Sequence, residues 1–151
     1  MVPDMKNWID IPPVWLALFI AATWVLPRPW ASAFPAGAVG TGWTLIAVAL
    51  LLMVWAAILF PLSRTSVIPH RKPQAIITGG PYRLSRNPIY LADAAALLGA
   101  ALVMKSLIGL LLVFVFMALI TRRFILGEED RLKAAFPNEA ESFFARTRRW
   151  L

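Results

Sequence analysis

The sequence has no cysteine and a single histidine, His70. That removes disulfides, iron–sulfur clusters and thiolate zinc sites, and a histidine-built metal centre with them. Acidic residues are scarce: 8 Asp and Glu stand against 15 Lys and Arg, for a net charge of +7. No Gly-x-Gly-x-x-Gly or phosphate-loop pattern is present, so the standard nucleotide cradles are missing. No Ser/His/Asp set can be assembled around His70, which argues against hydrolysis by the usual nucleophiles. Neither an internal repeat nor a low-complexity linker breaks the chain.

What is abundant is hydrocarbon. Of 151 residues, 60% are hydrophobic, and the mean hydropathy is +0.69. A soluble domain is roughly 45–50% apolar. The excess makes the bilayer the expected solvent. Apolar stretches run over residues 11–26, 41–62, 89–104 and 107–121. About 20 apolar residues, rising 1.5 Å each, cross a hydrocarbon core of about 30 Å. The second stretch meets that length; the last two are short and would thin the bilayer or extend into the headgroups. Only Lys105 and Ser106 separate those two, which predicts a tight antiparallel hairpin. Pro12 and Pro13 suit the first turn of a helix. Ala31-Ser32-Ala33 has the form of a signal-peptide cleavage site, but Asp4 and Asp10 beside Lys6 do not make the positive start that such a peptide needs.

The predicted fold is all-α. It is a polytopic membrane protein with four transmembrane or hairpin helices and a C-terminal amphipathic cytoplasmic helix. One domain spans residues 1–151, with two membrane helices in 1–62 and a loop, helical hairpin and tail in 63–151. Basic residues set the expected orientation: Arg64, Arg71, Lys72, Arg83 and Arg86 precede the hairpin, and Arg122, Arg123, Arg131, Lys133, Arg146, Arg148 and Arg149 follow it. By the positive-inside rule, residues 63–87 and the tail face the cytoplasm, as do both ends of the sequence, while 27–40 and Lys105 lie outside. Nucleic acid would use the charge but not the apolar runs, so none is expected as a partner. Trp8, Trp15, Trp30, Trp43 and Trp55 lie toward the ends of the first two spans, as interfacial anchors do. In the tail, Leu132, Ala135, Phe136, Phe143 and Phe144 recur at loose helical spacing, with a break expected near Pro137.

Candidate chemistry gathers at the start of the third stretch. Gly79-Gly80-Pro81 allows an unusual turn and then fixes it. Pro88 suits a first helical turn, with Asn87 as N-cap. Exposed N–H groups there favour an anion, and Arg83 and Arg86 add forked donors for a carboxylate or phosphate. Tyr82 and Tyr90 offer flat faces for an aromatic ring or a cation. The bland reading of the same residues is a loop that anchors in lipid headgroups and caps a helix. Glu128, Glu129 and Asp130 follow the fourth stretch on the same expected side; they could accept bonds from hydroxyls or an ammonium, or simply begin a helix at its positive end. Asp93 lies three positions after Tyr90 inside an apolar helix. An ionisable group at membrane depth marks a functional site, unless it sits shallow enough to reach water or Arg86.

The run Thr78-Gly79-Gly80-Pro81-Tyr82-Arg83-Leu84-Ser85-Arg86-Asn87-Pro88-Ile89-Tyr90, an apolar hairpin, then Arg123, Glu128-Glu129, Leu132, Phe136, Arg146 and Arg149-Trp150 resembles the isoprenylcysteine carboxyl methyltransferases. The related phospholipid methyltransferases look similar. The resemblance covers roughly residue 63 to 151 and implies a small helical membrane enzyme that uses S-adenosylmethionine. Carried over residue by residue, it implies that Tyr82, Asn87, Pro88, Ile89 and Tyr90 line the cofactor site and that Glu128 or Glu129 closes it; the forked donors of Arg83 and Arg86 suit the cofactor's carboxylate by their chemistry. Arg123, or else Arg122, matches the family's substrate-facing arginine. This chain departs in places. Asn87 stands where the family has His and cannot titrate near neutral pH. Ala92 replaces a common Gly. Phe136-Pro137, Ala140 and Phe143 stand where Phe-Gly and two tyrosines are usual.

The expectation is methyl transfer from S-adenosylmethionine to a lipidic or amphiphilic acceptor in the bilayer, with the catalytic face cytoplasmic and no metal. O-methylation of a carboxylate held by Arg123 is favoured; N-methylation of an amine beside Asp93 is the alternative. A non-catalytic membrane protein that binds lipid or a partner through the basic loop is the reading from another class.

Overall fold

The computed structural model describes residues 10–63 and 74–151. Asp4, Lys6, Trp8, Arg64, His70, Arg71 and Lys72 lie outside the described residues. Among the described residues the structure is helical, without strands. Helix α1 spans Pro12–Val25 and α2 spans Ala38–Leu62. A short 3-10 turn at Gly80–Arg83 leads to α3, Pro88–Val103. Helix α4, Leu107–Ile120, continues through a π-helical turn at Thr121–Ile125 into α5, Leu126–Ala135. Helix α6, Pro137–Arg146, completes the chain's regular structure.

Prolines punctuate this order. Pro12, Pro88 and Pro137 each stand at a first helical position, where the missing N–H has no partner to lose. The hairpin bend uses Lys105 at φ 51. Ser106 then caps α4 by accepting a 3.0 Å bond from the Gly109 N–H.

The fourth apolar stretch does not stop near residue 121. With α4, the π turn and α5 it makes one continuous helix, Leu107–Ala135, of 29 residues. Among the described residues, that helix and α2 are the two that are long and apolar enough to cross a membrane. Helices α1 and α3, at 14 and 16 residues, are shorter.

Small residues let α2 and α3 approach closely. A Cβ added to Gly42 would stand 2.6 Å from the Gly99 carbonyl oxygen, and one on Gly99 would stand 2.7 Å from that of Gly42. Ala49 and Ala56 continue the seam along α2. The rest of α2 carries exposed Trp43, Leu51, Val54, Trp55 and Ile58. A helix apolar all round with only a narrow buried seam suits lipid on its outer face.

The main core lies between α1, α3 and the long helix, around Leu97, Val113, Phe116, Ile120, Phe124 and Ile125. Phe19 of α1 meets Phe116 edge-on at 5.3 Å. A second cluster forms around Ala56, Tyr82 and Phe143. It ties the loop before α3 to α2 on one side and to α6 on the other. Helix α6 buries Ala140 and Phe143 while Glu139, Glu141 and Ser142 face outward.

Candidate functional site

The loop before α3 begins with a glycine that no other residue replaces easily. Gly80 has φ +57, and a Cβ there would meet Leu59 at 3.1 Å and the Trp55 indole at 3.3 Å. The turn that follows buries Tyr82, which stands edge-on to Phe60 at 6.1 Å. Burial pushes the Tyr82 phenol well up from its ordinary value, and the negative charge of Glu128 adds to this.

The next three residues turn toward the tail. Ser85, fully buried, donates its hydroxyl to the Arg149 carbonyl at 3.0 Å and accepts the Asn87 N–H at 3.1 Å. The Arg86 backbone N–H donates to the Arg148 carbonyl at 2.9 Å, and its Nε to the Thr147 carbonyl at 2.7 Å. Asn87 occupies the N-cap position of α3, but its side chain does not cap the helix. Its Nδ2 instead donates to the Arg149 carbonyl at 3.1 Å. The expected side-chain cap is thus replaced by a tie to the tail, at a carbonyl that also accepts from Ser85.

Two arginines converge on Glu129, which is 6% exposed. Arg86 Nη1 donates to Glu129 Oε1 at 3.0 Å. Arg149 grips the same carboxylate with both arms of its fork, Nε at 2.9 Å and Nη2 at 2.7 Å. The bond to Glu129 holds the Arg149 guanidinium charged to still higher pH than usual. Arg86 also lies over the Phe144 ring, 4.6 Å from its centre.

Glu128 faces elsewhere. Its Oε1 accepts a 2.6 Å bond from the Tyr90 hydroxyl. One turn along α3, Asp93 is 2% exposed and forms no hydrogen bond or ion pair with another described residue. Arg86 does not reach it, being committed to Glu129. The alternative that paired Asp93 with Arg86 is therefore set aside.

Adjacent residues of an α-helix stand about 100° apart, so Glu128 and Glu129 reach different partners; the π turn upstream sets which partners those are. It inserts an extra residue into the turn and so resets which side of the long helix faces α3 and the tail. It also exposes Arg122 and Arg123 while burying Phe124 and Ile125. Arg123 stands apart from the cluster: its Nε pairs with Asp10 Oδ1 at 2.6 Å, and its guanidinium lies 5.5 Å from the Trp15 ring centre. Trp15 Nε1 donates to the same Asp10 oxygen at 3.0 Å.

A cleft of about 370 Å³ opens beside Tyr82, lined by Thr78, Arg83, Phe143, Arg146 and Thr147. Loop and tail each supply part of its wall. Among the described residues no group of His, Cys, Asp or Glu could hold a metal ion.

Tyr82, Arg86, Asn87, Pro88, Tyr90, Glu128 and Glu129 are thus brought to one end of the helical hairpin, with Arg83 on the cleft and Ile89 packed in the second cluster. Asp93 lies one turn deeper, and Arg123 on the side facing α1. Sequence reasoning missed Ser85, Thr147 and Phe144 as parts of this site. Ser85 and Thr147 act through a hydroxyl or carbonyl that any sequence pattern hides.

The chain is similar to known proteins over this region. The family model described as phospholipid methyltransferase matches residues 38–139. The cobalt-zinc-cadmium resistance protein CzcN of Cupriavidus metallidurans is 34% identical over 74 residues, which is 49% of this chain and 34% of that protein. The chain spans about a third of the length of that curated relative. No solved structure matches significantly.

Proposed function

Because the chain belongs to the phospholipid methyltransferase family, we propose that it transfers a methyl group from S-adenosylmethionine to a membrane-embedded or amphiphilic acceptor. The observation that carries this reading is the Tyr90–Glu128 bond. It joins the two sequence segments on which the methyltransferase resemblance rests, and Tyr90 and Glu128 themselves both fall within the family match.

The donor set around the cleft fits the cofactor. Arg83 offers a guanidinium to a carboxylate, Phe143 an apolar face to adenine, and Thr78 and Thr147 hydroxyl groups. Glu128, close enough to raise the Tyr82 phenol, suits an ammonium or ribose hydroxyls. When bound, the cofactor supplies an electrophilic methyl on a sulfonium. The chain's own contribution is alignment and a dry, charge-matched site rather than strong acid or base chemistry. Tyr90 holds Glu128 in place, and burial of Tyr82 and Tyr90 keeps water from the inner wall.

In this reading all four long apolar helices lie in the membrane, α1 and α3 completing their spans through headgroup-level turns. The loop before α3, the tail and both ends of the sequence are cytoplasmic, and the acceptor enters sideways from the bilayer. A carboxylate acceptor, the favoured form, is supported by Arg123: it is half-exposed and holds the Asp10 carboxylate at 2.6 Å. An amine acceptor has its own support in Asp93, a buried carboxylate without a hydrogen-bonding partner among the described residues.

The test is incubation of purified protein with lipid extract and cofactor carrying a deuterated methyl group, followed by mass spectrometry of the lipids. A labelled lipid or amphiphile is expected, as ester or as methylated amine. No labelled product and no cofactor binding at millimolar concentration would instead support a non-catalytic protein that uses the basic loop for lipid or partner binding.

A further inference from the structure

The tail beyond α6 is not an appendage. Three of its backbone carbonyls, those of Thr147, Arg148 and Arg149, accept bonds from the loop before α3. Its one long polar side chain reaching inward, Arg149, closes a two-point grip on Glu129 of α5. Thr147 and Glu129 are both buried, at 7% and 6% exposure. The tail supplies Thr147 to the 370 Å³ cleft, and α6, which it follows directly, supplies Phe143 and Arg146. Removing Arg149 takes away two of the three bonds that Glu129 accepts from the arginines and leaves its Oε2 without a donor, which is costly for a buried carboxylate. The tail side of the cleft therefore depends on Arg149, which does not line it.

We propose that Arg149 is a positioning residue for cofactor binding: by locking the tail to Glu129 and the loop, it builds the tail half of the cofactor cleft. The proposal rests on the reading that this cleft takes S-adenosylmethionine. Arg86 cannot substitute, since its own arms already span Thr147 and Glu129. Without Arg149 the docked tail becomes one conformer among several, and cofactor affinity falls by the fraction of time the wall is in place.

The absence of native cysteine makes this measurable with site-directed labels. Leu84 and Leu151, 65% and 71% exposed, lie on the loop and the tail respectively. In full-length protein carrying Leu84→Cys and Leu151→Cys, paired spin labels should give one narrow, short distance. Adding Arg149→Ala should broaden and lengthen it, and Arg149→Lys, which keeps the charge without the fork, should fall between. Cofactor KM should rise at least about tenfold in Arg149→Ala, while kcat at saturating cofactor stays within about twofold. If Arg149→Ala cannot be recovered folded, Ser85→Ala, which removes one bond to the Arg149 carbonyl, should shift both readouts the same way by less. An unchanged distance in Arg149→Ala overturns the proposal, and so does a released tail with unchanged cofactor affinity. Absence of cofactor binding by the parent protein overturns the methyl-transfer reading and this role with it. The distance measurement then still reports whether Arg149 holds the tail.

Discussion

Tyr90 and Glu128 lie 38 positions apart and meet in a hydrogen bond of 2.6 Å. The phenol donates and the carboxylate accepts, across the open end of the hairpin formed by α3 and the long helix. Neighbouring Glu129 is wholly engaged by Arg86 and Arg149. Two adjacent acidic residues thus divide their work: one fastens the tail, the other joins the long helix to α3 through Tyr90.

Glu128→Gln should therefore weaken cofactor binding without releasing the tail. The amide still accepts from Tyr90 but loses the charge that an ammonium would seek. Tyr90→Phe leaves the partly buried carboxylate without its donor, at a cost of about 1–3 kcal/mol in stability. Calorimetric titration of both variants with cofactor, beside their melting temperatures, checks this. Unchanged affinity in Glu128→Gln would remove the residue from the binding site.

Arg123→Ala and Asp93→Asn should separate the two acceptor chemistries. If the acceptor is a carboxylate, Arg123→Ala abolishes methyl-ester formation and Asp93→Asn does not. If it is an amine, the outcome reverses. Each is read by the labelled-product assay with cofactor binding as the control, since neither side chain lines the cleft.

Gly42→Ala and Gly99→Ala should each destabilise the protein by about 1–3 kcal/mol, the usual cost of overpacking. Each new methyl meets backbone oxygen at 2.6 or 2.7 Å across the α2–α3 seam, and backbone yields less than a side chain. Gly40→Ala, where nothing lies within 4 Å, is the matched control. Thermal melting in one detergent compares all three.

Tyr82 predicts an alkaline loss of stability. Its folded pKa is raised above the ordinary value of 10.0, first by burial. The unfolded phenol thus ionises first, and the folded state binds more protons than the unfolded one above about pH 10. The stabilisation is complete below that pH and declines as pH rises past it. Tyr82→Phe should flatten this decline between about pH 9 and pH 11 relative to the parent, measured by melting temperature across the range.

Much of this architecture was legible in the sequence. Apolar run length gave the helices, and Lys105-Ser106 gave the hairpin, because two residues permit no other connection. Proline placement gave the starts of α1, α3 and α6. At its end the long helix takes one of the two outcomes left open, extension beyond the apolar run. Hydropathy falls away after Thr121, but the helix continues, since Glu128 through Ala135 are good helix formers whether or not lipid surrounds them. The separate fates of Glu128 and Glu129 were not legible. They depend on which neighbours the rotation of the long helix brings to each side, and the π turn that sets this rotation leaves no compositional mark. Asn87 read as a capping side chain because local preference says so; the tail carbonyl won it by proximity.

The helical hairpin has the mechanics of tongs. Its pivot is the Lys105 bend at φ 51, and its tips are Tyr90 on one arm and Glu128 on the other. Both arms pack in apolar surroundings along their length, so how far the tips stand apart follows from how the arms lean on each other. The 2.6 Å contact joins those tips. A substitution near the pivot, such as Gly109 pressed against Thr23 and Ala101, thus acts on the tips without lying anywhere near them.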